Sequence, residues 1–167
     1  MDRPSDPQAV GIYQMLLDRI DAAYAARDYG TFRPLVVLPQ RFVTPERVRT
    51  ISTEEGLRTA FLNFADFLRS QNVDGLIRHC RSAHFRSPGL MRGMHVTHMV
   101  SRSGIRLQPP YEVLTTLRYR DGDWRVSASL NRVPETGWPV LAMKTAADHI
   151  RPVPQFNDTV PPKETRS

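Results

Sequence analysis

YEVLTTLRYRDGDWRVSASLNR, residues 111–132, is the stretch whose reading decides the fold. Two runs of alternating apolar and polar residues flank Asp121-Gly122, a dipeptide suited to the left-handed backbone positions of a two-residue type I′ hairpin. With Arg120 paired to Asp123, the turn sets Tyr119 opposite Trp124, Leu117 opposite Val126, Thr115 opposite Ala128 and Val113 opposite Leu130 on a face that must be buried. The other face pairs Arg118 with Arg125, Thr116 with Ser127, Leu114 with Ser129 and Glu112 with Asn131. It is mostly polar, carries a like-charge pair and is left to solvent or a partner.

Upstream, residues 76–86 and 91–102 flank Ser87-Pro88-Gly89, and a Pro-Gly tip makes these runs a second hairpin. Period-two alternation then places Ile77, His79, Arg81, Ala83 and Phe85 on one face with Met94, Val96, His98 and Val100. Cys80, His84 and His95 fall on the other. Ser103-Gly104 is the next turn, and Pro109-Pro110 interrupts the run that follows, so the ladder there ends at an edge or bulge.

The residues before this sheet read as its packing. Asp6-Pro7 opens a helix, with Asp as N-cap and Pro where a missing N–H costs nothing. The helix extends to about Arg27, and Tyr13, Leu16, Leu17, Ile20, Ala23 and Tyr24 form its buried stripe. Asp28 caps a short second helix carrying Tyr29, Phe32 and Leu35 and stopped by Pro39. Residues 41–43 and 48–51 are short strands. Ser52 and Glu55 fit a capping box for a third helix through about Gln71, with Leu57, Ala60, Phe61, Phe64, Phe67 and Leu68 at helical spacing.

Composition narrows the class. The 167 residues can bury a core without staples. A single cysteine, Cys80, leaves no intramolecular disulfide and no Cys-rich zinc site, and with a polar N-terminus it points to the reducing cytoplasm. No run is long enough to span a membrane. The formal charge is +6, and residues 73–133 carry all of it, with ten Arg against four acidic residues. No nucleic-acid-binding motif accompanies that charge, so nucleic acid is not an expected partner.

After Val133 the composition changes, and Pro134, Pro139, Pro152, Pro154, Pro161 and Pro162 punctuate the chain. Residues 1–133 are therefore read as the folded domain and 134–167 as a Pro-rich tail with a possible short helix at 140–150. From about residue 151 the tail has too little apolar surface to offset its ordering entropy unless it docks.

No phosphate-binding Gly loop, HExxH helix or GxSxG elbow occurs. Four of the five histidines, His79, His84, His95 and His98, cluster in the second hairpin without a carboxylate beside them, so no metal and no other cofactor is expected.

The order of elements, the helix break Tyr24-Ala-Ala-Arg-Asp28-Tyr29, the strand Met94-His-Val-Thr-His-Met-Val100 and the ending Tyr119-Arg-Asp-Gly-Asp-Trp-Arg-Val126 resemble the nuclear transport factor 2-like superfamily, and within it the SnoaL-like family. The resemblance spans about residues 8–133. It implies an α+β cone, with three N-terminal helices packed on a strongly curved antiparallel sheet around a pocket; such folds serve unrelated activities. There is also similarity to scytalone dehydratase-like members, whose pocket uses two histidines on neighbouring strands with a tyrosine and an aspartate on the first helix. Tyr24, His79 and His98 fall at matching places. Ala25 stands at the aspartate position, and Tyr111 and Val113 replace the pocket serine and asparagine.

The expected function is a small-molecule-binding pocket for an apolar ligand with a polar group. The alternative is a cofactor-independent lyase or isomerase using His79 and His98 for acid–base chemistry, and a further one is a protein-interaction or dimerisation module. The expected site joins Tyr24, His79 and His98 inside walls of Phe61, Phe64, Val96, Val113 and Trp124. A homodimer is expected through the polar sheet face of Thr116, Arg118, Arg125 and Ser127, with Glu112 of a second copy answering the opposed arginines.

Overall fold

The structure, a computed structural model, describes residues 4–154. The Asp6 carboxylate accepts the backbone N–H groups of Gln8 at 2.9 Å and Ala9 at 3.3 Å, which starts α1, Pro7–Ala26. Arg27, at φ 53°, ends it in the left-handed region, and Asp28 then caps α2, Tyr29–Phe32, by accepting the Thr31 N–H at 3.1 Å. A 3-10 turn over Arg33–Leu35 continues α2. In α3, Glu54–Ser70, the N-cap is Thr53 and not Ser52. The Ser52 N–H is already held by Asp148 at 2.8 Å, so the helix begins one residue later than the capping-box spacing predicts.

The strands are β1 (Val36–Val43), β2 (Arg47–Ile51), β3 (Ile77–Ser87), β4 (Leu90–His98), β5 (Tyr111–Arg120), β6 (Asp123–Asn131) and β7 (His149–Pro152). They form one seven-stranded sheet in the order β3-β4-β5-β6-β1-β2-β7. Only β1 and β6 run parallel. The helices pack on its curved inner face, giving the α+β cone of the nuclear transport factor 2-like fold.

At the turn the last hairpin has the expected register: Arg120 faces Asp123, Tyr119 faces Trp124 and Leu117 faces Val126, with Asp121 at φ 50° and Gly122 at φ 80°. Beyond it a bulge at Ser127, whose hydroxyl donates to the Thr116 carbonyl at 3.2 Å, shifts the pairing. Thr116 then meets Ala128, Leu114 meets Leu130 and Val113 meets Asn131. Ser129 and Asn131 therefore turn inward, while Ala128 and Leu130 turn outward, the reverse of the uniform alternation.

The β3–β4 hairpin departs further. Its tip is Pro88-Gly89, yet β3 carries register shifts between Phe85 and Ser87 and between Cys80 and Ser82. The first pairs Phe85 with Met91 and Ala83 with Gly93, so Met91, Gly93, His95 and Thr97 are the buried residues of β4. The second exchanges the faces within β3, so that Arg78 and Cys80 point inward where His79 had been expected. His79 pairs with Val96 and His98 with exposed Ile77, all on the outer face.

The buried stripe of α1, Ala9, Tyr13, Leu16, Leu17, Ile20 and Ala23, lies on this sheet. Gly93 is what lets it approach: a Cβ there would stand 2.5 Å from the Tyr13 ring, which is wholly buried and has no room to retreat. Beyond Val133 the chain docks. Glu135 accepts from Thr44 at 2.5 Å and pairs with buried Arg49, while Trp138 stacks on Phe67 at 3.8 Å and exchanges hydrogen bonds with Gln108. Of the 140–150 segment only α4, Val140–Met143, is helical, and β7 then pairs with β2. Residues 155–167, the greater part of the stretch expected to lack order, lie outside the described residues.

Gly93→Ala is accordingly expected to lower folding stability by about 1–3 kcal/mol through overpacking against Tyr13, read as a lower urea midpoint at unchanged m-value.

Candidate functional site

Sheet register assembles a polar floor on the inner face. Arg78, Thr97 and Tyr111 form one row across β3, β4 and β5; His95, Val113 and Asn131 form the next across β4, β5 and β6; Thr115 and Ser129 follow. Leu17, Ile20 and Tyr24 of α1, Phe32 of α2 and Phe64 of α3 make an apolar roof, which Pro139 and Met143 of the tail complete. Between floor and roof is a cavity of about 90 Å³.

At one end His95 is held by Tyr13. The Tyr13 hydroxyl donates to Thr115 Oγ1 at 2.7 Å, so its oxygen is left to take the N–H of His95 Nδ1. That tautomer puts a lone pair on Nε2, which has no partner among the described residues. Burial, reinforced by the charge of Arg78, pushes the imidazole pKa down to about 3, and burial raises that of Tyr13, so both are neutral at physiological pH.

At the other end lies an ion pair. Arg78 Nε stands 3.2 Å from Asp21 Oδ1, each side chain 13% exposed, and neither atom makes a hydrogen bond of good geometry. Burial raises the Asp21 pKa to about 6, against the pull of Arg78. Tyr24 and Tyr111 are also raised by burial, the latter to about 12. Gln14 fastens this edge strand to α1 by donating to the Arg78 carbonyl at 3.0 Å and accepting the Cys80 N–H at 2.8 Å, at the position where β3 begins to bulge.

Of the residues expected at the site, Tyr24, Phe64 and Val113 line this cavity. Phe61 is one layer behind, stacked on Tyr24 with ring centroids 5.0 Å apart. Trp124 packs against Phe85 and Tyr119 at the far end of the hairpin. Val96, His79 and His98 stand on the outer face, so the tyrosine and the two histidines do not converge. The bulges invert the parity on which that convergence rested. Sequence reasoning missed His95, Arg78 and Asp21. Two signals pointed to them: a glycine inside β4 two residues before His95, marking the inward face by close approach, and a carboxylate at Asp21 flanking the apolar stripe of α1.

Chemically the site presents a guanidinium, two phenols and a neutral imidazole around a small apolar volume. No protein-family model and no curated protein matches the sequence. Solved structures do match in shape. A protein from Nostoc punctiforme, described as a domain of unknown function with a cystatin-like fold, superposes with a TM-score of 0.55 at 12% identity, covering 77% of this chain and 78% of that one. An NTF2-like protein of unknown function from Shewanella oneidensis gives 0.55 at 10% identity, over 74% and 98%. The hexachlorocyclohexane dehydrochlorinase LinA-type3 from Novosphingobium barchaimii gives 0.51 at 13% identity, over 86% and 88%. These likenesses place the chain in the nuclear transport factor 2-like fold.

The depressed His95 pKa has a stability consequence. Between its ordinary value of about 6.5 and about 3 the unfolded chain binds the proton and the folded one does not, so this group's contribution is complete above pH 6.5 and is lost as pH falls toward 3. His95→Gln is expected to remove that part of the acid sensitivity. Urea midpoints of wild type and variant should draw together between pH 7 and pH 4; a constant gap would show that the imidazole does not titrate in this way.

Proposed function

We propose that this chain is a SnoaL-like small-molecule-binding protein whose ligand occupies the cavity between α1, α3 and the inner sheet face. One observation carries the reading: polar groups from separate strands, Arg78, His95, Tyr111 and Asn131, with Gln40, Thr97, Thr115 and Ser129 beside them, face a volume whose remaining walls are aliphatic and aromatic side chains. That is the composition of a site that grips an apolar body and orients a polar head. Tyr24, Phe64 and Val113 belong to its wall.

A second reading, a cofactor-independent lyase or isomerase, is favoured by the state of His95. A neutral imidazole with Nδ1 fixed by Tyr13 and Nε2 unpartnered is the arrangement of a general base or acid, and it takes the role that sequence had given to His79 and His98. The dehydrochlorinase named above shares the fold, an analogy of scaffold only.

We further propose that the protein acts in the cytoplasm, consistent with a single cysteine, and as a homodimer through the outer sheet face. There Met94, Leu114, Leu130 and Val43 form an apolar row across four neighbouring strands, flanked by Arg92, Arg118 and Arg125. Leu114 is 44% exposed in the single chain, and a two-fold partner would cover it and bring Glu112 toward the arginines.

Native mass spectrometry of protein purified from its own host tests the first reading: a bound small molecule is expected, and its absence together with failure to retain any added ligand would refute it. Turnover of that molecule, lost in His95→Gln while binding persists, would establish the second. Sedimentation at micromolar concentration should show a dimer that Leu114→Glu converts to monomer; a wild-type monomer would exclude the interface.

A further inference from the structure

Arg78 is nearly buried, lines the cavity and donates no side-chain hydrogen bond to any described residue. Its one ionic partner among the described residues, Asp21, approaches on the Nε side. A guanidinium has five N–H donors; here the buried Nε has no hydrogen-bond acceptor among the described residues, and the terminal nitrogens, which find none there either, are free for whatever occupies the cavity.

The other groups around it do not supply a negative charge. From α1 it is faced by Tyr13, Tyr24 and Asp21, with Asp18 beyond; from β4 by His95; from β5 by Tyr111; and on its own strand by Cys80. The phenols and the thiol are held in their neutral forms by burial, and the imidazole is neutral too. Among the described residues Asp21 alone balances Arg78. The hydroxyl-bearing residues Tyr24, Tyr111 and Thr97 stand around the same end of the cavity as further donors. The volume sets the other limit: about 90 Å³ is less than the roughly 150 Å³ apolar cavity that admits benzene.

We propose that the cavity takes a short-chain monocarboxylate, its carboxylate held by the terminal nitrogens of Arg78 with the Tyr24 and Tyr111 hydroxyls, and that Asp21 takes up a proton when it binds. This rests on the cavity being a ligand site. A second negative charge beside one arginine in a low-dielectric space disfavours an ionised Asp21, and protonation of that carboxyl hands the whole guanidinium charge to the ligand. The planar fork of Arg suits a carboxylate through two parallel N–H···O bonds, whereas the apolar roof suits a short alkyl chain.

Calorimetric titration of the full chain with propionate, propionamide and 1-propanol tests this. Propionate is expected to bind at least tenfold more tightly than propionamide at pH 6. Its affinity should weaken toward pH 8 by up to about tenfold per unit, with buffer-dependent heats reporting proton uptake. Arg78→Met should abolish the preference for the acid while the neutral probes still bind. Should that variant not fold, Asp21→Asn decides: propionate should then bind more tightly at pH 8, without buffer-dependent heat. Equal affinity for acid and amide, or an unchanged pH dependence in Asp21→Asn, overturns the assignment and leaves the ligand site standing. No heat from any of the three probes, with no co-purified molecule, overturns the site itself and this inference with it.

Discussion

Tyr13 lying directly on the backbone of Gly93 is the contact from which the rest of the interior is set. A helix can come this close to a sheet only where a strand residue lacks a side chain, and the ring fills the space that a Cβ would occupy. The contact fixes the height and rotation of α1 over β4, and a rise of 1.5 Å per residue then determines where each later side chain of the helix falls. Leu17 and Ile20 come to roof the cavity, Asp21 comes to Arg78, and Tyr24 comes to the cavity wall and the cluster of Phe32, Phe61 and Phe64. It also carries the Tyr13 hydroxyl to His95 and Thr115, so one packing constraint positions groups at both ends of the site.

The architecture was legible because local and long-range preferences agree. Asp6-Pro7, Asp28 and Asp121-Gly122 each specify an element boundary or turn by backbone chemistry alone, and the three-four spacing in α1 and α3 identifies their buried stripes. The site was less legible, for a reason confined to a few residues. Period-two alternation assigns faces only while the ladder is regular, and β3 bulges twice while β6 bulges at Ser127. Each extra residue exchanges the two faces beyond it, so His79 was read inward in place of Arg78, and Leu130 in place of Asn131. Nothing in Cys80-Arg81-Ser82 or Ser127 marks a bulge by composition. The devices that hold them are non-local: Gln14 reaching from α1 to the backbone of Arg78 and Cys80, and Ser127 reaching across to Thr116.

Those bulges account for the polarity of the interior. Regular strands would have presented Ala128 and Leu130 to the helices and left Ser129 and Asn131 outside. Instead, residues that alternation would place in solvent are turned inward, together with an ionisable pair that an all-apolar core would not need. Buried ion pairs with unsatisfied nitrogens seldom add to stability, and apolar replacements of similar volume are commonly as stable or more so. Such a pair facing a cavity belongs to the class of feature that structure alone does not require; the more deeply buried Arg49 also leaves Nε and Nη1 without partners among the described residues, but it lies away from the cavity and its pairing with Glu135 anchors the start of the tail.

The segment after Val133 completes this arrangement and limits what can enter it. Pro139 and Met143 wall one side of the cavity beside the three helices, and they are held by contacts distributed over distant elements: Glu135 on Arg49 and Thr44, Trp138 on Phe67 and Gln108, and the Ala146 carbonyl against Gly56. Apart from the stacking of Trp138 on Phe64, the tail's contacts named here are made outside the cavity lining. The closing segment is therefore fastened to the scaffold and not to an occupant, and β7 secures its far end by adding a strand to β2. A cavity walled in this way has its lining set before a ligand arrives. Selection by size is then built into the resting protein, and the polar floor is left to select by charge and hydrogen bonding.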